Sequence, residues 1–79
     1  MAHTFLYATE NDGKPTTLRF KSYTPKTYEF EVTVLSDPAL EPFTITLDRG
    51  QWKMPNHLPE PIRTLEQTVL EAAEKFKRQ

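Results

Sequence analysis

Apolar and polar side chains alternate through the middle of the chain with the period of a half-buried strand. From Tyr28 to Leu35, the residues Tyr28, Phe30, Val32 and Val34 interleave with Glu29, Glu31 and Thr33, which puts one set on each face of a pleated strand. Thr17 to Lys21 behaves the same way, with Leu18 and Phe20 set between Thr17, Arg19 and Lys21. Laying the two segments antiparallel, with paired positions summing to 50, aligns Leu18 with Val32 and Phe20 with Phe30 on one side. Arg19 then meets Glu31, Lys21 meets Glu29 and Thr17 meets Thr33 on the other side. Pairs of both kinds stabilise a sheet by roughly 0.2–1 kcal/mol each, and a one-residue slip would send every side chain to the wrong face.

Two further segments extend this pattern. His3–Thr9 alternates weakly, with Phe5 and Tyr7 on one face and Leu6 and Ala8 on the other. It is followed by Glu10–Pro15, where Asp12-Gly13 offers the positive-φ position that a tight hairpin needs. A sum of 25 sets Phe5 against Phe20 and Tyr7 against Leu18. Later, Phe43, Ile45 and Leu47 alternate with Thr44, Thr46 and Asp48, and a sum of 77 sets Val34 against Phe43, Val32 against Ile45 and Phe30 against Leu47. The outcome is an antiparallel four-stranded meander in the order 1-2-3-4. Gln51–Met54 reads either as a short fifth strand or as an irregular segment. All seven prolines fall between the periodic segments, where their missing N–H breaks no ladder, and Pro55–Pro61 forms a stiff connection.

Beyond it the period changes. Ile62, Leu65, Val69, Ala73 and Phe76 recur at helical spacing and draw one apolar stripe. Pro61 suits the first helical position, and Thr64 with Gln67 offers an alternative start as a capping box. Glu71–Lys75 and Glu74–Arg78 are i,i+4 pairs of favourable orientation. The stripe is expected to cover Phe5, Leu18, Phe20, Phe30, Val32, Ile45 and Leu47. The predicted fold is therefore α+β: a four-stranded antiparallel meander with one C-terminal helix packed on one face, a single small domain over residues 1–79.

Composition narrows the functional classes. The chain has 79 residues, no cysteine, and ten basic against eleven acidic side chains for a net charge of −1. Absence of cysteine excludes a disulfide framework or a thiolate zinc site and fits a reducing, cytoplasmic setting. No stretch approaches the roughly 20 apolar residues that cross a bilayer, and Met1–Tyr7 lacks the basic-then-apolar pattern of a secretory leader. Balanced charge argues against general attraction to nucleic acid or to an anionic membrane.

The chemistry-bearing residues are sparse. His3 and His57 have no spaced metal partner, and no nucleophile-plus-base pattern, His-Glu zinc motif or glycine-rich phosphate loop occurs. Glu29 and Asp48 are expected to lie opposite one another at a strand end, where Lys21 relieves their repulsion and leaves a solvated charge cluster rather than an acid–base pair. The expectation is a protein that is not an enzyme and uses no cofactor or metal. Tyr23, Tyr28 and Trp52 are expected to gather at one end of the sheet and close the core. Arg19 and Lys21 are each opposed by a glutamate, so a nucleic-acid binder, the alternative reading, would have to use Lys14, Lys26, Lys75, Lys77 and Arg78.

The outer strands carry few protective charges, and an unguarded edge invites another strand. The leading reading is thus a small protein-binding or regulatory module whose partner is another protein or a second copy of the chain. It would act through a sheet edge or the outer sheet face, with Leu6, Leu35, Thr44, Thr46 and Trp52 as the contact residues.

Overall fold

The structure is a computed structural model that describes residues 3–11, 13–22 and 29–77. Its elements are β1 (His3–Asn11), β2 (Lys14–Ser22), β3 (Glu29–Val34), β4 (Phe43–Asp48), β5 (Gln51–Lys53), α1 (Glu60–Arg63) and α2 (Glu66–Lys77). The strands form one antiparallel sheet in the order β1-β2-β3-β4-β5. Gln51–Lys53 is thus the short fifth strand that the sequence left open, added to the expected four-stranded meander.

Two tight turns come from backbone chemistry. Gly13, at φ +77°, turns β1 into β2. Arg49 and Gly50, at φ 54° and 81°, turn β4 into β5. Two consecutive positive-φ residues match the right-handed twist of the strands they join.

The β1–β2 pairing is the expected one: Phe5 lies opposite Phe20 and Tyr7 opposite Leu18. The next two pairings each differ from expectation by two residues. Leu18 faces Val34, Phe20 faces Val32, Arg19 faces Thr33 and Lys21 faces Glu31, so paired positions sum to 52 rather than 50. Phe30 faces Ile45 and Val32 faces Phe43, a sum of 75 rather than 77. A two-residue shift leaves every side chain on its own face, so alternation alone does not distinguish these registers.

Backbone hydrogen bonding favours the observed ones. The expected β2–β3 register would set Leu35 against Pro15, which has no N–H. In the structure the Leu35 N–H instead donates to the Thr17 carbonyl at 2.8 Å. After Val34 the chain closes two successive turns, Asp37 N–H to Val34 O at 3.2 Å and Leu40 N–H to Asp37 O at 3.1 Å. The Asp37 carboxylate holds them further by accepting from Ala39 N–H at 3.2 Å. These bonds take residues 36–40 out of the ladder and start β4 beyond Pro42.

One face of the sheet carries the core. Leu18, Phe20, Phe30, Val32, Val34, Phe43, Ile45 and Trp52 are buried against Ile62, Leu65, Val69, Ala72 and Ala73, with Phe5, Leu47, Leu70 and Phe76 packed around them. The helical stripe faces the sheet as its spacing requires. Phe76 anchors the C-terminal end of α2, its ring stacked on Phe5 at 4.7 Å and edge-on to Phe20 at 5.2 Å. The two-residue shift turns Phe20 and Phe30 from direct partners into diagonal ones, still in edge-to-face contact at 5.8 Å.

The helix is interrupted rather than continuous. Its start is α1, which opens at Glu60 with Pro61 second, one residue earlier than the expected start at Pro61. Thr64 then donates its hydroxyl to the Pro61 carbonyl at 2.9 Å and so does not cap α2. Leu65 N–H closes a tight turn on Ile62 O at 2.9 Å before Val69 N–H reaches Leu65 O at 2.9 Å. Gln67 is likewise engaged elsewhere, donating to Glu71 at 3.2 Å. Lys75 lies with its ammonium 5.7 Å from the centre of the Tyr7 ring, which brings the end of α2 over β1.

Candidate functional site

β1 is an outermost strand of the sheet, and the polarity of its free edge follows from one hydrogen bond. Leu35 and Thr17 are directly opposite, and the bond between them makes them a hydrogen-bonded pair. In a strand the N–H and C=O of successive residues point to opposite sides. Thr17, Arg19 and Lys21 therefore bond toward β3, while Leu18, Phe20 and Ser22 bond toward β1. Their partners in β1 are Tyr7, Phe5 and His3. The main-chain groups of Thr4, Leu6, Ala8 and Glu10 consequently face away from the sheet, along a strand of nine residues.

This edge carries none of the usual guards. It has no proline, lysine or arginine, and Glu10 is its one acidic residue. The same residues that turn their backbones outward also project their side chains to the face opposite α2, where Leu6 is 65% exposed. Leu35 lies on that face as well, at 41%. Between them, in the row Leu6–Arg19–Thr33, Arg19 Nε and Thr33 Oγ1 are buried and have no hydrogen-bond partner among the described residues. An unmade hydrogen bond at a shielded polar atom costs about 1–3 kcal/mol, so the centre of this face holds polar groups whose bonding capacity is unused.

The remaining candidate residues are placed differently. Thr44 and Thr46 are exposed on the outer face, but β4 is not an outermost strand. Thr46 sits between Glu29 on β3 and Lys53 on β5, so it is flanked by a strand on each side, whereas Thr44 is flanked by β3 alone, opposite Glu31. Trp52 belongs to the core: it is 8% exposed, with its ring 5.3 Å from Phe30, and its indole N–H has no partner among the described residues. It closes one end of the core, and the little surface it keeps lines a groove with Met54, Leu58 and Leu70. Tyr23 and Tyr28, expected beside it, lie outside the described residues.

The expected cluster of Glu29 and Asp48 does not form. Glu29 faces Thr46, and Asp48 pairs with Lys53 at 3.1 Å across the β4–β5 hairpin, with both side chains largely exposed. Lys14 stands at the β1–β2 turn, beside a groove of about 880 Å³ that also touches Asp37 and Glu60. Lys75 lies over Tyr7 on α2. Lys26 and Arg78 and the side chain of Lys77 lie outside the described residues. His3 and His57 are exposed, and among the described residues no three His, Asp or Glu side chains come together as a metal site. A second groove, of about 370 Å³, runs between Trp52, Met54, Leu58 and Leu70. No described helix is long and apolar enough to cross a membrane.

The site residues that the sequence reading did not single out are Thr4, Ala8 and Glu10. Their backbone groups face outward beside those of Leu6, a property that becomes legible only once the hydrogen-bonding phase of the strand is known. Compared with protein families, curated proteins and solved structures, the chain has no significant match.

Proposed function

We propose that this chain is a small cytoplasmic docking module that binds another protein by strand addition at the β1 edge. The observation that carries the reading is the nine-residue outermost strand with Thr4, Leu6, Ala8 and Glu10 directed off the sheet and no cationic or proline guard. Main-chain hydrogen bonds would supply affinity, and alternate side chains would supply selectivity. Leu6 and Leu35 extend the contact onto the adjoining outer face.

The test is affinity capture from the native source, with and without nuclease, using the wild-type chain and the Leu6→Lys variant. Thr46→Lys, on the same face but within a strand paired on both sides, is the control. A discrete protein that survives nuclease, is kept by Thr46→Lys and is lost by Leu6→Lys is the expected result. Capture that Leu6→Lys leaves intact, or that disappears with nuclease, overturns the reading.

A further inference from the structure

Resting on the docking reading, we infer that the strand received at the β1 edge is β1 of a second copy, paired antiparallel across a two-fold axis at Leu6. The outward groups are those of the even-numbered residues, so an antiparallel self-pairing must set even positions against even positions. Centred on Leu6, it sets Leu6 against Leu6 of the second copy, and Thr4 and Ala8 against Ala8 and Thr4. Each is a hydrogen-bonded pair in which both residues use groups that the isolated sheet leaves free.

Both faces of the strand fit this arrangement. On the outer face the exposed Leu6 gains an apolar neighbour of its own kind. On the inner face Phe5 and Tyr7 are only half-buried, although Phe76 packs on both. The pairing sets Phe5 against Tyr7 of the second copy and Tyr7 against its Phe5, joining the two aromatic rows where α2 leaves them partly open. An isologous contact of this kind closes on itself and merges two five-stranded sheets into one.

Charge selects the antiparallel self-match over a parallel one. Glu10 is the strand's one acidic residue and lies toward its end. In the antiparallel pairing the two Glu10 carboxylates stand eight positions apart along the ladder, about 27 Å at ~3.4 Å per residue. That is well beyond the ~8 Å screening length of physiological salt. A parallel pairing in register would set them side by side. The grooves beside Lys14 and beside Trp52 are lined by none of the residues Thr4 to Ala8, so neither of them would read the side chains of a strand added at this edge, whereas the strand's own sequence matches it.

The experiment is sedimentation equilibrium of the full chain from micromolar to millimolar concentration, for wild type and Leu6→Lys, together with disulfide trapping. The chain has no cysteine, so Leu6→Cys introduces the sole thiol. Residues of a hydrogen-bonded antiparallel pair have Cα atoms about 5.5 Å apart, within the roughly 4.4–6.8 Å range of a disulfide. Wild type should pass from one chain to two with concentration. Leu6→Lys, which sets two ammonium groups against each other, should raise the dissociation constant about tenfold or more. Leu6→Cys should oxidise to a linked dimer faster than Thr46→Cys.

A wild-type mass that stays at one chain throughout overturns the inference, as does Leu6→Cys linking no faster than Thr46→Cys. The docking reading fails separately, through the capture experiment: a monomeric chain whose partner is still lost by Leu6→Lys keeps the edge as the site and removes the second copy as its occupant. A dimer that Leu6→Lys does not weaken overturns the inference by placing self-association elsewhere on the molecule.

Discussion

Replacing Phe30 with alanine strikes the point where the sheet and the aromatic cluster meet. Phe30 is fully buried. Its ring lies 5.8 Å from Phe20 and 6.1 Å from Phe5, both edge-on, and 5.3 Å from Trp52 at a tilt of 32°. Truncating a buried phenylalanine costs about 3–5 kcal/mol through lost transfer energy and the cavity left behind. Aromatic contacts of this geometry add roughly 0.5–1.5 kcal/mol each beyond area, which places Phe30→Ala toward the upper end. A chain of 79 residues has a total stability of about 4–12 kcal/mol at the usual 0.05–0.15 kcal/mol per residue. The variant therefore forfeits between a third and all of it.

The assay is urea unfolding at low temperature, read by far-ultraviolet circular dichroism and by the fluorescence of Trp52, the chain's single tryptophan. Circular dichroism is the deciding probe, because the substitution alters the surroundings of Trp52 directly. Phe30→Leu, which keeps most of the volume, should cost below about 1.5 kcal/mol and gives a measurable transition if the alanine variant is unfolded in buffer. Leu6→Ala, at 65% exposure, should stay within about 0.5 kcal/mol of wild type. An alanine variant at Phe30 that loses less than about 1 kcal/mol with an unchanged denaturant slope would refute the assignment of the inner face.

The β4–β5 turn should respond to backbone conformation alone. Gly50→Ala introduces a Cβ with open space around it at φ +81°, so its expected loss of about 1–2 kcal/mol is the left-handed penalty, whereas Arg49→Asn, at φ 54°, should gain up to ~1 kcal/mol by matching the turn; urea midpoints measure both. Lys53→Gln should change stability by less than about 1 kcal/mol, since its pair with Asp48 at 3.1 Å is largely exposed, and the difference should shrink further on adding salt.

The faces of the strands were legible because face assignment depends only on period two. Leu18, Phe20, Phe30, Val32 and Ile45 were expected inside and are fully buried. Register is a different quantity. Apolar partners such as Val32 and Val34, or Ile45 and Leu47, exchange with little change in chemistry when a strand slides by two. What decided between the registers was local and polar: Pro15 without a donor and the Asp37 side chain closing its own turn. The helix break has the same character. Thr64 could bond forward as a cap or backward to Pro61, and the short turn after a proline-led first helix favours the backward bond.

The candidate site was less legible because an edge is a property of topology rather than of a strand's own sequence. β4 looks as unguarded as β1 when each is read alone, and Thr44 and Thr46 resemble Thr4 in kind. The difference lies in Gln51–Lys53, three residues whose hairpin turn requires positive φ at Arg49 as well as at Gly50. Arginine does not advertise that conformation, so the hairpin carries only half of its usual Asn-Gly signal. Once β5 forms, it takes Thr46–Asp48 out of the edge and carries Trp52 into the core opposite Leu47. The same three residues that remove one docking surface thus leave β1 as the long unguarded edge of the sheet. Any account of how this chain binds turns on the hydrogen-bonding phase of that strand, which sends the backbone groups of Leu6 off the edge of the sheet while its side chain stands exposed on the adjoining outer face.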